Sequence, residues 1–246
     1  MTMHWDYAAI LVFLGVLLPW LGYRRVRRLM LIPSTSSMER LALYGSTIAF
    51  QWIATAVILW RAMTNGARPW QMGLSAGNGK LTASVAILLS LLLLINQIAS
   101  IRRLAAKPSE LKGIIAELAL KIFPQDNIER LAFVALVSTV AVCEELIYRG
   151  FVQGVFEGWL GSAVAGVVLS SAFFAVAHVY QGRRGLISTF VIGVVFAGVR
   201  AGTGSLIPSI CAHFAADLAA GLLAPVKLGP AIRARTERAG TSTEPE

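Results

Sequence analysis

Three stretches of the chain contain no Asp, Glu, Lys, Arg or His, and each is long enough to form a transmembrane helix. They cover residues 7–23, 41–60 and 81–101. A helix needs roughly 20 mainly apolar residues to cross about 30 Å of hydrocarbon. In the whole chain 56% of residues are hydrophobic and 14% are charged, whereas about a quarter are charged in a typical soluble domain. We therefore expect an all-α, polytopic membrane protein.

Four further apolar stretches follow residue 130 and predict membrane helices over residues 131–157, 160–180, 186–200 and 205–223. The total is about seven spans, and the sequence leaves open an eighth span or a re-entrant segment. Before them, apolar residues recur at helical spacing, which predicts an amphipathic helix at the membrane interface. These residues are Leu111, Ile114, Ile115, Leu118 and Ile122.

The pattern divides the chain into four regions. They are three scaffold helices in 1–101, the interfacial segment 102–130, a four-helix core expected to be catalytic in 131–224, and a polar tail in 225–246. A tail that is polar and poor in apolar residues cannot bury enough surface to fold alone, so it is expected to be disordered.

The positive charges indicate how the chain lies in the membrane. The net charge is +9, and the seven-span arrangement places 17 of the 22 Lys and Arg residues on one side. Cytoplasmic segments are enriched in Lys and Arg. The expected protein therefore lies in the cytoplasmic (inner) membrane with its N-terminus outside and its C-terminus inside. Because the charges flank the spans, lipid headgroups explain them and no nucleic-acid partner is expected.

Ionisable residues within the apolar stretches occur only in the second half of the chain. Six of them are singled out here: Glu144, Glu145, Arg149, His178, His213 and Asp217. Placing such a group in hydrocarbon costs about 2.5 kcal/mol or more, so each marks a candidate functional residue. We expect the first half to be scaffold and the second half to hold the site.

The spacing of these residues suggests a division of roles. Glu145 and Arg149 lie four apart and can form an ion pair on one helix face, although the same pair could serve only as a polar contact between helices. Glu144 points about 100° away from Glu145 in a 3.6-residue helix and is left available as a general base. His213 and Asp217 are also four apart and should face the helix bundle together.

The depth of the residues places them in one cavity. Glu144 and His213 lie near the middle of their helices, and His178 lies toward the inner end of its own. The three are expected to meet slightly on the cytoplasmic side of the membrane centre. A water held between Glu144 and a histidine could then attack a peptide carbonyl, with the other polar groups stabilising the oxyanion.

Three motifs in series resemble those of the CAAX protease and bacteriocin-processing family, also called CPBP or Abi, which includes the type II CAAX prenyl endopeptidases. The family pattern is Glu-Glu-x-x-x-Arg, Phe-x-x-x-His and His-x-x-x-Asn or Asp. Here the motifs are Glu144, Glu145 and Arg149, then Phe174 and His178, then His213 and Asp217. The resemblance covers residues 131–223.

The resemblance implies an intramembrane endopeptidase in which Glu144 and His178 activate water while His213 and Asp217 support the oxyanion. The eukaryotic prenyl-peptide members look like they use Asn at the last position, and an Asp there can donate a hydrogen bond only when protonated. Metal use stays open. Glu144, His178 and His213 could together hold a divalent metal such as zinc, but there is no His-Glu-x-x-His motif.

The expected partners are the lipid bilayer and a peptide or protein substrate. A prenylated C-terminus, a leader peptide and a segment of a membrane protein all remain compatible with an apolar, inward-facing cavity. Two other functions also remain compatible with the sequence. Intramembrane Glu, His and Asp residues can form the proton relay of a transporter, and the same fold could serve as an inactive scaffold or immunity protein.

Overall fold

The computed structural model describes residues 4–32, 34–106 and 121–241, and all regular secondary structure within these ranges is helical. The principal helices are numbered here in chain order. They are α1 (Trp5–Leu31), α2 (Ser37–Thr64), α3 (Gly79–Ala106), α4 (Asn127–Leu160), α5 (Ala163–Ala177), α6 (Gly182–Thr203) and α7 (Ile207–Thr241). Short 3₁₀ turns at Pro69–Met72 and Val179–Gln181 lie between helices.

Among the described residues, six helices are long and apolar enough to cross a membrane, and this confirms the all-α, polytopic fold. The predicted span over residues 160–180 is shorter than expected: α5 has 15 residues, or about 22 Å at 1.5 Å per residue. Gly161 ends α4 in the left-handed conformation, at φ 61°, and the Ser162 hydroxyl caps α5. The predicted span over residues 186–200 is instead longer, because α6 has 22 residues.

Two predictions concern the ends of the helical core. Most of the expected amphipathic helix falls on residues 107–120, which lie outside the described ranges, whereas Ile122 packs against the cluster that contains Tyr44 and Phe133. The backbone of α7 is helical through Thr241, beyond the start of the tail for which the sequence predicts disorder. Residues 231–239 are rich in Ala and Arg, which are strong helix formers. The four-region division stays a prediction.

Helix α4 is the most deeply buried of the six spanning helices in the described ranges. It packs against α2, α5 and α7, and its residues Ile147 and Phe151 join Tyr7 and Leu14 of α1 in one apolar cluster. Its central part, Glu145–Val152, is a π-helix whose residues are all buried. Such segments are rare and frequently occur at functional sites. The glutamates of α4 therefore lie at the centre of the helix bundle.

Helices α2 and α4 run side by side in the same direction. Near their N-termini, Arg40 donates from Nε and Nη2 to the two carboxylate oxygens of the buried Glu129, both at 2.8 Å. Farther along, the indole of Trp52 donates to the Thr139 hydroxyl at 3.2 Å. Because the contacts advance along both helices together, the middle of α2 lies beside the middle of α4.

Helices α4 and α7 approach closely at Gly221, where a Cβ atom would collide with the ring of Phe133. We expect Gly221→Ala to lower the free energy of unfolding by about 1–3 kcal/mol, because overpacking forces neighbours to shift. Gly229, on the same helix, has no atom within 4 Å of such a Cβ and supplies the matched control. Thermal unfolding in detergent checks both variants, and equal stabilities would contradict the close packing.

Candidate active site

The ion pair expected between Glu145 and Arg149 is present and fully buried. Arg149 Nη1 lies 2.8 Å from Glu145 Oε1, and both side chains have 0% exposure. The guanidinium also lies over the ring of Phe174, 4.0 Å from its centroid, and 5.2 Å from the centroid of Phe196. A cation over an aromatic face is stabilised further when it is desolvated. Arg149 therefore links α4 to α5 and α6 at the site.

His213 of α7 is bordered by three carboxylates. Its Nδ1 lies 3.2 Å from Glu145 Oε1, and its Nε2 lies 3.5 Å from Asp217 Oδ2 and 4.0 Å from Glu144 Oε2. Ionised carboxylates can only accept hydrogen bonds. Each ring nitrogen of His213 therefore faces at least one acceptor oxygen when these carboxylates are ionised. The four-residue spacing of His213 and Asp217 does bring the two side chains together.

Glu144 has one carboxylate oxygen in use and one free. Oε1 accepts a hydrogen bond from Gln51 Nε2 at 3.1 Å. Oε2 is buried and has no hydrogen-bond partner among the residues that the structure describes. This free oxygen faces His213 at 4.0 Å. The arrangement provides a buried acceptor for the proton of a water or another polar ligand.

Gln51 was missed by the sequence reasoning, which searched the first three spans only for ionisable residues. The available signal was an uncharged amide near the middle of the apolar stretch 41–60. Polar amides in membrane helices commonly form hydrogen bonds with a neighbouring helix. Through Gln51 the expected scaffold half of the chain reaches the candidate site.

His178 follows the last residue of α5. Its Nδ1 lies 2.9 Å from the carbonyl oxygen of Phe174, and because a carbonyl can only accept, Nδ1 carries the hydrogen. The lone pair of the neutral ring is then on Nε2. Within the described ranges, no hydrogen bond or ion pair within 4.0 Å joins His178 to Glu144. The expectation that a water lies between His178 and Glu144 in one cavity stays a prediction.

The ring of Phe174 connects the two histidines. Its centroid lies 4.8 Å from that of His178 and 6.0 Å from that of His213, and Tyr148 packs against it at 5.2 Å. Aromatic contacts of this edge-to-face kind orient the rings that form them. Phe174 thus contacts Arg149 and both histidines, although it has no reactive group of its own.

Several buried polar atoms at this place have no protein partner in the described part of the chain. They are Glu144 Oε2, Glu145 Oε2, Arg149 Nε and Arg149 Nη2. An unsatisfied buried donor or acceptor costs about 1–3 kcal/mol, so a cluster of them calls for an explanation such as a bound polar group. Donors and acceptors that lie side by side suit a water molecule or a peptide group.

The side chains do not fit the metal set that the sequence left open. In residues 4–32, 34–106 and 121–241, no group of three or more His, Cys, Asp or Glu is arranged to hold a metal ion. Both nitrogens of His213 face carboxylates, and a metal needs the lone pair of a neutral imidazole. His178 has its lone pair available, but among the described residues it belongs to no group of three or more candidate ligands that could hold a metal.

The structure brings Glu144, Glu145, Arg149, His213 and Asp217 together. In the described part of the chain, His178 is connected to them through the ring of Phe174. All six ionisable residues lie within residues 127–219, and this segment matches the family model described as type II CAAX prenyl endopeptidase Rce1-like. No curated protein and no solved structure matches the chain. The matched segment begins at the first residue of α4 and ends within α7. Residues 127–219 of this polytopic membrane protein are therefore similar to the Rce1-like type II CAAX prenyl endopeptidases.

Proposed function

We propose that the protein is an intramembrane endopeptidase that hydrolyses a peptide bond in a membrane-associated substrate, with Glu144 as the general base. The observation that carries this proposal is the different environment of the two carboxylate oxygens of Glu144. One oxygen is held by Gln51, and the other is buried, unpaired among the described residues and close to His213. An ionised acceptor in a site of this kind can take a proton from water.

The proposed reaction begins when a water proton passes to Glu144 Oε2 while the water oxygen forms a bond to the carbonyl carbon. The π electrons of the carbonyl move onto its oxygen. We assign the stabilisation of that oxyanion to the imidazolium of His213, because its Nε2 lies 4.0 Å from Glu144 Oε2. When the oxyanion collapses, the carbon–nitrogen bond breaks and the proton moves from Glu144 to the leaving amine.

Asp217 and Glu145 would act through His213 rather than on the substrate. Asp217 Oδ2 lies 3.5 Å from Nε2, and Glu145 Oε1 lies 3.2 Å from Nδ1. Two carboxylates beside one imidazole keep it charged and fix its orientation. Asp217 therefore need not be protonated to support the oxyanion. Arg149 neutralises the negative charge of Glu145 through their ion pair.

We assign His178 the second role in water activation that the family resemblance implies. Its Nε2 lone pair is available because Nδ1 is bonded to Phe174. Since the described contacts do not join it to Glu144, it would act from the other side of the bound water or on the leaving amine. Proton transfer by a second group of this kind is typical of peptide hydrolysis.

The substrate class we propose is a peptide that carries a lipid near its C-terminus, as the description of the matched family suggests. His178 lies at the end of α5, and the side chain of Asp217 is 40% exposed. These positions support a site that opens toward the end of the bundle for which the positive charges predict a cytoplasmic location. A lipidated C-terminus would reach the site from that side while its lipid stays in the bilayer.

The test is a comparison of membrane peptidomes from cells that express the wild type or Glu144→Gln. We expect a defined set of peptide termini that requires Glu144, followed by cleavage of the corresponding synthetic peptide, prenylated and unprenylated, by protein in liposomes. The two peptide forms decide whether the lipid is recognised. If no terminus depends on Glu144 while vesicles show Glu144-dependent solute flux, the protein is a transporter and the protease proposal fails. Unchanged termini without flux would indicate a scaffold.

A further inference from the structure

Gln51 is the one described residue of the first three helices whose side chain hydrogen-bonds a glutamate of the candidate site. It lies on α2, is half-buried, and reaches across the α2–α4 interface to Glu144. The resemblance and the matched family segment both concern residues after 126, so neither assigns any role to α2.

The direction of this hydrogen bond determines its effect. The amide nitrogen of Gln51 can only donate, and it donates to Glu144 Oε1 at 3.1 Å. This bond uses one oxygen and restricts rotation of the carboxylate, so that Oε2 is turned toward His213.

We propose that Gln51 is a positioning residue that holds the general base Glu144 with Oε2 presented to the water, so that the catalytic centre is completed by the first half of the chain. This inference rests on the proposed function. Residues that orient a reacting group usually change kcat more than they change substrate binding, because their effect appears in the transition state.

A purely structural role for Gln51 is the main alternative, because amides also hold membrane helices together. The α2–α4 interface has other polar contacts that do not touch the site. Arg40 binds Glu129 at one end, and Trp52 donates to Thr139 next to Gln51 along α2. Trp52→Phe therefore removes an α2–α4 hydrogen bond beside the one in question, and it serves as the matched control.

The experiment compares wild type, Gln51→Met and Trp52→Phe in liposomes, with a farnesylated CAAX-type peptide as the probe and cleavage followed by mass spectrometry. If wild type does not cleave this probe, the same comparison is made on the Glu144-dependent termini of the membrane peptidome. For Gln51→Met, which keeps the length of the side chain, we expect kcat to fall about 10- to 100-fold with KM within about twofold. For Trp52→Phe we expect both constants to stay within about twofold of wild type.

A double-mutant cycle tests the contact without a substrate. Gln51→Met, Glu144→Met and the combined variant are compared by thermal unfolding in detergent, and we expect the Tm shifts to be non-additive by about 2 °C or more. Additive shifts, or a kcat for Gln51→Met equal to wild type, would overturn the positioning role. Equal losses of kcat in Gln51→Met and Trp52→Phe would also overturn it, in favour of helix docking. A fully active Glu144→Gln would instead show that the proposed function itself is wrong.

Discussion

Replacement of Glu144 by Gln is expected to lower kcat about 10²- to 10⁴-fold, the range that removal of a general base typically produces. The amide keeps the shape of the side chain but cannot take a proton from water. Because Gln51 and His213 remain next to position 144, substrate binding should change little. Single-turnover cleavage of the peptide identified by peptidomics, measured in liposomes, separates the chemical step from binding.

The same measurement on His178→Gln decides whether the two residues act in one step. If both activate the same water, the double variant should be no slower than the slower single variant, because residues that act as a unit are not additive. Glu157→Gln is the control, since Glu157 lies on the same helix but binds Arg200 through Nη1 at 2.6 Å, away from the site. Retention of more than about a tenth of kcat in Glu144→Gln would contradict the general-base role.

Replacement of Arg149 by Met is expected to be the most destabilising change at the site. Glu145 and Arg149 are both fully buried, and removal of one partner of a buried pair costs about 3–5 kcal/mol because the other charge is left unpaired. His213 still faces Glu145 at 3.2 Å, so we expect a loss near about 3 kcal/mol. Thermal unfolding in detergent should show a Tm lower by about 6–12 °C.

The double variant Glu145→Met with Arg149→Met separates charge from packing. Replacing both partners by apolar side chains of similar volume removes the unpaired charge, and such exchanges are often neutral or stabilising. We therefore expect the double variant to regain most of the Tm lost in Arg149→Met. A double variant no more stable than Arg149→Met would show that the cost comes from lost packing on Phe174 and Phe196.

Much of the fold could be predicted from the lengths of the apolar stretches, because a bilayer requires helices of a certain length. The contacts of the site that lie within one helix could also be predicted. Glu145 with Arg149 and His213 with Asp217 are each four residues apart, and both pairs are close in the structure. Backbone geometry alone brings such side chains onto one helix face.

The length of α5 was harder to predict. Residues 160–180 form one apolar stretch in the sequence. In the structure Gly161 ends α4, Ser162 caps the N-terminus of α5, and α5 ends before His178. Apolar character extends over turns as well as helices, so hydropathy alone does not show where a helix stops. In the shorter helix His178 follows the last helical residue, and its Nδ1 is hydrogen-bonded to the backbone carbonyl of Phe174.

The features of the site that depend on a single helix were therefore determined by the sequence. They are the helices that carry ionisable residues, the residues that pair along one helix, and the glutamate that Arg149 leaves unpaired. The tertiary structure alone decided the partners across helices. Gln51 and Glu144 are 93 residues apart, and Glu145 and His213 are 68 apart. Helix periodicity determines neighbours within about four residues, whereas contacts over such separations depend on which helix faces pack together.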